Sequence, residues 1–328
     1  MVSTKTNDCH TIGGFYGVNG KKLQRHYRDY LSEFKEWKQK SHAKDWLIFP
    51  ENMGKYLSID ETALSKGELY TIITNKKAKG KKGAIVAILA GTKAEPIIEQ
   101  LLKIPKTLRD KVKEITLDMA HSMKMIVKKC FPKAIQVTDR FHVQKLALEA
   151  LQDIRIKHRW EAIDLENEQI KQTKSVQKEF IPETFPNGDT RKQLLARSRY
   201  LLYKAPNNWT QNQYIRSKIL FEQYPDIKRA YDLVQGLRNI FNTATSIQTA
   251  YTKLAHWYKN VEQTGFKAFN TIANTITINY KSILNYFINR STNASAESFN
   301  AKIKAFRAQF RGVKNVEFFL FRLTTIFA

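Results

Sequence analysis

The sequence predicts an α/β fold, a mixed β-sheet flanked by helices, with an all-helical segment inserted into it. Three observations support this prediction. Strand-like and helix-like patterns alternate between residues 51 and 150, residues 151–288 show no good strand pattern, and strong helical periodicity returns in residues 289–328. Because alternating strands and helices are typical of sheets with parallel strands, the helical stretch is interpreted as an insertion.

Residues 1–50 are predicted to form a basic, helical N-terminal segment. A glycine-rich stretch, residues 13–20, is followed by basic and aromatic residues typical of a helix over residues 21–40. Fewer than 60 residues precede Asp60, and they contain no cluster of Cys and His.

Five strands are predicted in the first part of the core, residues 51–150. Their expected ranges are 56–60, 69–74, 84–90, 114–118 and 134–139. A turn rich in Lys and Gly joins the second strand to the third and predicts an antiparallel hairpin. Helical spacing of apolar residues precedes the fourth and fifth strands, and a long helix follows from about residue 141.

The resulting order, β-β-β-α-β-α-β-α, is the topology of ribonuclease-H-like domains, in which the first and fourth strands are parallel neighbours. Asp60 at the predicted end of the first strand and Asp118 at the end of the fourth would then lie at one edge of the sheet, where ligands gather. The sequence therefore predicts a ribonuclease-H-like mixed sheet core, in residues 51–150 and the C-terminal helices of 289–328. An all-helical insertion domain, residues 151–288, interrupts that core.

Asp60 and Asp118 are candidate metal ligands. Phosphodiester chemistry needs an activated attacking oxygen and a stabilised leaving oxygen, and two divalent cations provide both; Mg²⁺ prefers oxygen ligands. A solvated Asp at a strand end is the alternative for each residue. Asp139, which ends the fifth strand, competes with Asp118 unless it is a helix N-cap. Glu61 is expected to be a poor ligand because successive strand side chains point to opposite faces.

Glu297 is the candidate third acid. On a helix it shares one face with Asn293, Asn300 and Lys304, and the apolar stripe through Phe299 lies largely on the other side. The alternative is an ordinary solvent-exposed Glu. Three features distinguish Glu297 from it: two Asn on the same face, small neighbouring residues, and basic residues that follow it in the sequence.

The charge balance favours a polyanionic partner. Lys and Arg number 55 against 30 Asp and Glu, a net charge of +25, which points to nucleic acid. No signal peptide or membrane-spanning pattern is present, so we expect a cytoplasmic, nucleoid-associated protein without a membrane partner. Two cysteines are too few for a zinc site by themselves or a disulfide framework. The candidate phosphate-binding residues are Lys76, Lys77, Lys79, Lys81, Lys82, Lys302, Lys304, Arg307 and Arg311.

Five segments carry a family resemblance: LSIDE at 57–61, ITLDM at 115–119, CFPKA at 130–134, DRFHVQKL at 139–146 and NRSTNASAESFNAKIK at 289–304. In this order they resemble DDE transposases of bacterial insertion sequences, in the ISL group, and more distantly the mutator-like and hAT transposases. The resemblance covers residues 50 to 328.

The resemblance implies a function and a set of site residues. Asp60, Asp118 and Glu297 correspond to a catalytic triad that holds Mg²⁺, with Mn²⁺ able to substitute, while water and then a DNA 3′-hydroxyl attack phosphorus. Asp139 and His142 match a C/D-x-x-H motif that lies near the active site and engages transposon-end DNA.

The implied partners are double-stranded DNA, at transposon ends and target, and further copies of the chain assembled on DNA. Because the zinc-binding and helix-turn-helix region usual in such proteins has no counterpart here, a separately encoded recognition protein is a further expected partner. Two alternatives stay open at this point. One is a non-catalytic DNA-binding remnant or regulator of a transposable element. The other is a ribonuclease-H-fold structure-specific nuclease, which the long interval between Asp118 and Glu297 disfavours.

Overall fold

In a computed structural model the chain forms two compact units. The first comprises Met1–Asp139 together with Lys281–Ala328, and the second comprises Arg140–Tyr280. The structure describes residues 9–65, 67–309, 313 and 315–328.

The first unit contains a six-stranded mixed sheet. Its strands are β1 (Trp46–Ile48), β2 (Tyr56–Ser65), β3 (Glu68–Asn75), β4 (Ile85–Ala90), β5 (Glu114–Leu117) and β6 (Ile135–Thr138). The spatial order is β1-β4-β3-β2-β5-β6. Pairing is antiparallel from β1 through β4 and β3 to β2, and parallel from β2 through β5 to β6. The antiparallel hairpin and the parallel pairing of the first and fourth predicted strands are therefore both present.

Helices make up most of the rest of the chain. In chain order, the helices of the described residues are α1 (Cys9–Phe15), α2 (Gly20–His26), α3 (Ala94–Leu102), α4 (Lys106–Arg109), α5 (His121–Cys130), α6 (Arg140–Ser175), α7 (Arg191–Arg197), α8 (Arg199–Tyr203), α9 (Gln211–Gln223), α10 (Pro225–Thr243), α11 (Ile247–Thr264), α12 (Lys267–Ile278), α13 (Tyr280–Leu284), α14 (Tyr286–Asn289), α15 (Ala294–Gln309) and α16 (Val316–Phe327). None of the helices in this described part has the length and apolar character needed to cross a membrane.

Each face of the sheet packs against its own helices. Leu57, Ile59 and Ile115 point to the face covered by α3 and α5. Leu64, Tyr70 and Ile72 point to the opposite face, where Phe299 and other apolar residues of α15 and α16 complete a second core. Side chains alternate between the two faces along each strand. Asp60 and Asp118 therefore point away from the α3 and α5 core and towards the face that α15 covers.

Two features of the sheet differ from the sequence expectation by more than a residue at a strand end. β2 runs on to Ser65, so the prediction that Asp60 ends its strand is wrong: the residues after Asp60 pair with β3. Within residues 1–50, expected to be helical, β1 forms an edge strand against β4. A three-residue strand with one fully buried side chain, Leu47, is too short to show an alternating pattern.

The described residues of the second unit are almost entirely helical. The long helix α6 ends at Ser175, and α7 starts only at Arg191, after the Pro-Asn-Gly segment. Pro225 occupies the first turn of α10, the position where its missing N–H costs no hydrogen bond. Thr184 and Thr190 form an isolated β-bridge.

Candidate active site

Three carboxylates accompany the three adjacent parallel strands. Asp60 lies within β2, Asp118 directly follows β5, and Asp139 directly follows β6. The last pair between β2 and β5 joins Ser58 to Thr116, so Asp60 and Asp118 each lie two residues beyond it. Because the three strands run in the same direction, the acids lie at one edge of the parallel part of the sheet.

Hydrogen bonds orient the first two carboxylates. Asp60 Oδ1 accepts from the backbone N–H of Glu61 at 2.9 Å, and Asp60 Oδ2 accepts from the amide of Asn300 at 2.8 Å. Asp118 Oδ1 accepts from the backbone N–H of Ala120 at 2.8 Å. Each carboxylate is therefore held in a defined direction by a donor close to it.

Helix α15 brings the third acid to the same edge of the sheet. Glu297 lies in its first turn and is exposed, and its carboxylate offers an oxygen within 4.8 Å of one from Asp139. One turn further along, Asn300 contacts Asp60. Asn293, expected on the same exposed face, is fully buried, and its backbone oxygen accepts from Glu297 N–H at 2.9 Å.

Glu61 is electrostatically coupled to the acids beside it. Burial raises the pKa of Glu61, and the charges of Asp118 and Asp60 raise that pKa further. The alternation rule still places it on the opposite face from Asp60, but the charge of Asp118 reaches it. These acids therefore concentrate negative charge in a small region, which favours a bound cation.

Asp139 is the last residue before the chain leaves the first unit, and His142 is the third residue of the second unit. Asp139 is buried, with 2% of its surface exposed, and immediately precedes α6 in the position of an N-cap. His142 lies in the first turn of α6 and is half-buried.

The predicted phosphate-binding residues fall into two structural groups. Lys77, Lys79, Lys81 and Lys82 are exposed on the turn between β3 and β4, and Lys304 is exposed on α15. Lys302 donates to the backbone oxygen of Gly80 at 2.9 Å and Arg307 to that of Ala63 at 3.2 Å, so both connect α15 to the sheet. Arg311 lies outside the described residues.

Lys76 does not belong with the other lysines of the turn. Its side chain is 16% exposed; the ammonium lies 3.5 Å from Glu114 Oε1 and donates to Thr116 Oγ1. The turn therefore presents four of its five lysines to solvent, because the aliphatic stem of Lys76 crosses the sheet face.

Glu114 is a buried acid to which the sequence prediction gave no role. It is 3% exposed, and its Oε2 accepts from the amide of Asn289 at 3.1 Å. Its only signal in the sequence is an acidic residue opening an otherwise apolar strand, which is equally typical of a solvated strand start.

A sheet whose parallel strands carry acids at one edge, beside a hairpin and a helix rich in basic residues, defines a candidate enzyme of nucleic-acid strand chemistry. The chain belongs to the ISL3 family of DDE transposases, whose family model, described as Transposase, matches residues 57–323. The resemblance that the motifs carry is thereby confirmed.

Two individual proteins show how far similarity extends. The transposase for insertion sequence element IS1001 of Bordetella parapertussis is 23% identical over 277 residues, 83% of this chain; the chain spans 61% of that relative's length. Among solved structures, the chain aligns with the Drosophila P element transposase strand transfer complex. There the sequence identity is 11%, 98% of this chain and 91% of that chain are covered, and the TM-score is 0.34, too low to support an argument about fold.

Proposed function

We propose that this chain is the transposase of a bacterial insertion sequence and catalyses metal-dependent cleavage and strand transfer of DNA. The observation that carries the proposal is the contact of α15 with the acid of β2 and the acid that follows β6. That helix brings Glu297 within 4.8 Å of Asp139 and Asn300 into contact with Asp60.

The proposed fold is a ribonuclease-H-like core interrupted by an all-helical insertion. The parallel pairing of β2 with β5, next to an antiparallel β2-β3-β4 sheet, supports this assignment. The second compact unit, Arg140–Tyr280, falls in the interval between Asp118 and Glu297. We assign the insertion to that unit, preceded by the N-terminal segment and followed by C-terminal core helices.

The proposed metal ligands are Asp60, Asp118 and Glu297. Carboxylate oxygens suit Mg²⁺, with Mn²⁺ as a substitute, and the raised pKa of Glu61 beside Asp118 and Asp60 supports a region of excess negative charge. Bound divalent cations at such a site activate an attacking oxygen and stabilise a leaving one. The amide of Asn300 keeps one Asp60 oxygen in a fixed direction, and Asp139 supports the Glu297 side of the cluster, with His142 near transposon-end DNA.

Double-stranded DNA is the proposed partner. The exposed lysines of the β3–β4 turn suit contacts to phosphates, which position a protein on the duplex without reading its sequence. We further propose that copies of the chain assemble on DNA in the bacterial nucleoid, and that a separately encoded protein recognises the transposon ends.

The test uses the purified full chain, Mg²⁺ and a supercoiled plasmid carrying the DNA that flanks its gene. We expect Asp60→Ala, Asp118→Ala and Glu297→Ala each to abolish strand cleavage, because each removes a metal ligand. DNA affinity is expected to stay near normal because binding depends on Lys and Arg.

Glu99→Ala is the matched control, since Glu99 is an exposed acid on α3; it should cleave normally. Asp139→Asn should slow cleavage but retain activity that excess Mn²⁺ partly restores. Near-normal cleavage by Glu297→Ala would remove Glu297 from the ligand set. DNA binding by the wild type without any cleavage, also after the separately encoded recognition protein is added, would instead favour a regulatory DNA-binding protein.

A further inference from the structure

A buried ion pair lies on the same face of the sheet as the catalytic candidates. Lys76 follows β3, and its ammonium crosses to β5, where it contacts Glu114 and Thr116. Glu114 and Thr116 are 3% and 0% exposed. This cation is therefore enclosed in the first unit and is the one lysine of its turn that the DNA-binding proposal does not use.

The strand geometry links this pair directly to Asp118. Glu114, Thr116 and Asp118 are spaced by two residues, so their side chains point to the same face. At about 3.3 Å per residue, Thr116 and Asp118 are separated by roughly 6.6 Å along the chain. Asn289 donates to the second oxygen of Glu114, so the carboxylate that pairs with Lys76 is itself held in a fixed direction.

The electrostatic environment of Lys76 also includes an acid of the candidate site. Burial lowers the pKa of Lys76, while the charges of Glu114 and Asp139 act in the opposite direction. The ammonium thus interacts electrostatically with an acid of the candidate site as well as with its ion-pair partner.

We propose that Lys76 is a positioning residue, a fixed internal cation that holds β5 and moderates the affinity of the carboxylate cluster for divalent metal, and that it does not contact DNA phosphate. The inference rests on the proposed metal site. A positive charge enclosed in the same unit as the carboxylates opposes a cation bound to them, and the opposition is stronger at low effective dielectric constant than in water. Glu114 offsets part of that opposition.

The experiment measures Mn²⁺ affinity of the full chain by titration calorimetry without DNA. Lys76→Met removes the charge and should tighten Mn²⁺ binding by about tenfold, since less positive charge opposes the ion. Glu114→Gln keeps the shape but leaves Lys76 uncompensated, and should weaken Mn²⁺ binding. Lys76→Arg retains the charge and should therefore keep the Mn²⁺ affinity close to that of the wild type.

The salt dependence of DNA binding supplies a second, independent measurement. Lys77→Met is the matched control on the same turn: it should lower the slope of log affinity against log salt by about 0.9 and leave Mn²⁺ affinity unchanged. Lys76→Met should leave that slope unchanged. A slope that falls in Lys76→Met as in Lys77→Met overturns the proposal, as does an unchanged Mn²⁺ affinity in folded Lys76→Met.

Two further variants keep the outcomes distinct. If Lys76→Met does not fold, the double variant Lys76→Met/Glu114→Gln removes both charges together, and its salt dependence of DNA binding is measured instead. In that case an unchanged Mn²⁺ affinity of Glu114→Gln overturns the inference. Asp118→Asn should abolish Mn²⁺ binding. Failure of the wild type to bind Mn²⁺ would refute the proposed metal site as well, whereas normal wild-type binding with no effect of Lys76 refutes this inference alone.

Discussion

Asn300 and Asp60 are 240 positions apart in the chain, yet they share a hydrogen bond of 2.8 Å. The amide nitrogen of Asn300 donates to Oδ2 while the Glu61 N–H donates to Oδ1, so the two bonds together fix the direction of the carboxylate. Hydrogen-bond partners of this kind orient the side chains that bind metals, so the carboxylate stays longer in the geometry that binds the ion.

Asn300→Leu is expected to reduce strand cleavage by about 10- to 100-fold, the usual effect of losing a hydrogen bond that orients a ligand. Initial rates on plasmid DNA at saturating protein measure the effect, with DNA affinity determined in parallel. Ser298→Ala, an exposed position on the same helix, should cleave at the wild-type rate. Equal rates for Asn300→Leu and wild type would show that Asp60 needs no such partner.

The placement of single residues was predictable in part. Of the two Asn that distinguish Glu297 in the sequence, Asn300 contacts the acid Asp60, whereas Asn293 is buried. Lys76 was not predictable, because five similar lysines on one turn do not reveal which stem crosses the sheet. Glu61 is coupled to Asp118 through space, which the alternation of side chains along one strand does not describe.

The β3–β4 hairpin is shaped by two consecutive residues of left-handed conformation. Lys79 has φ +52° and Gly80 has φ +66°, and Lys302 of α15 donates to the Gly80 oxygen. A Cβ on Gly80 would lie 2.9 Å from the Lys302 ammonium. The turn is thus held against α15, while Lys77, Lys79, Lys81 and Lys82 are exposed.

Replacing Lys77, Lys79, Lys81 and Lys82 together by Gln should weaken binding to all duplexes alike. If most of these lysines touch phosphate, the slope of log affinity against log salt should fall by roughly two to three units. Salt titrations on transposon-end and random DNA measure it. Lys128→Gln/Lys129→Gln on α5, both exposed, should leave the slope unchanged. A loss confined to end DNA would make the turn a specificity element instead.

At the scale of elements, strongly apolar strands and long helices were predictable, and strand ends were not. The continuation of β2 consists of mixed residues whose pairing with β3 decides their conformation. β1 depends entirely on its neighbour β4. Such tertiary pairing overrides local pattern, so the sequence located Asp60 correctly on its strand but placed the end of that strand too early.

A buried carboxylate connects helices of the second unit. Asp189 is fully buried, and its oxygens accept from Arg197 at the end of α7 and Arg216 on α9. Asn187 donates to Asp189 Oδ2 at 2.8 Å. Burial alone would raise the pKa of Asp189, but the hydrogen bonds from Arg216 and Arg197 hold it below its usual value.

Asp189→Asn should lower the free energy of unfolding at pH 7 by about 1–3 kcal/mol, because it weakens the hydrogen bonds of the buried carboxylate to Arg216 and to the more exposed Arg197. Since the folded pKa lies below the unfolded value near 3.9, the stabilisation is complete above that value and is lost as pH falls through the folded pKa. Urea unfolding at pH 7 and pH 3, followed by circular dichroism, should show a smaller acid-dependent loss for Asp189→Asn. Asp153→Asn, at an exposed position, should match the wild type; an identical acid response of Asp189→Asn would contradict this account.

At the scale of the whole molecule, one continuous segment separates two parts of the first unit. The chain leaves that unit after Asp139 and returns to it at Lys281. The two crossing points are adjacent, because the Thr138 and Ser282 hydroxyls lie 2.7 Å apart and the Asn285 amide donates to Gln136 O at 2.9 Å. The absence of strand patterns predicted a helical insertion over residues 151–288, whereas the second compact unit spans Arg140–Tyr280. Local pattern does not reveal these limits, because they depend on contacts between distant residues.

Replacing residues 140–280 by a short Gly-Ser linker should therefore leave a folded α/β unit. Insertions between adjacent surface points are tolerated because the host keeps its own core, and the two apolar clusters on either side of the sheet lie entirely within the retained residues. A cooperative thermal transition and dispersed amide resonances would establish folding. An excision of equal length shifted to residues 120–260 is the control, and it should not fold because it removes α5 and β6. If the 140–280 excision is itself expanded and non-cooperative, the helical segment is an integral part of the core and not an insertion.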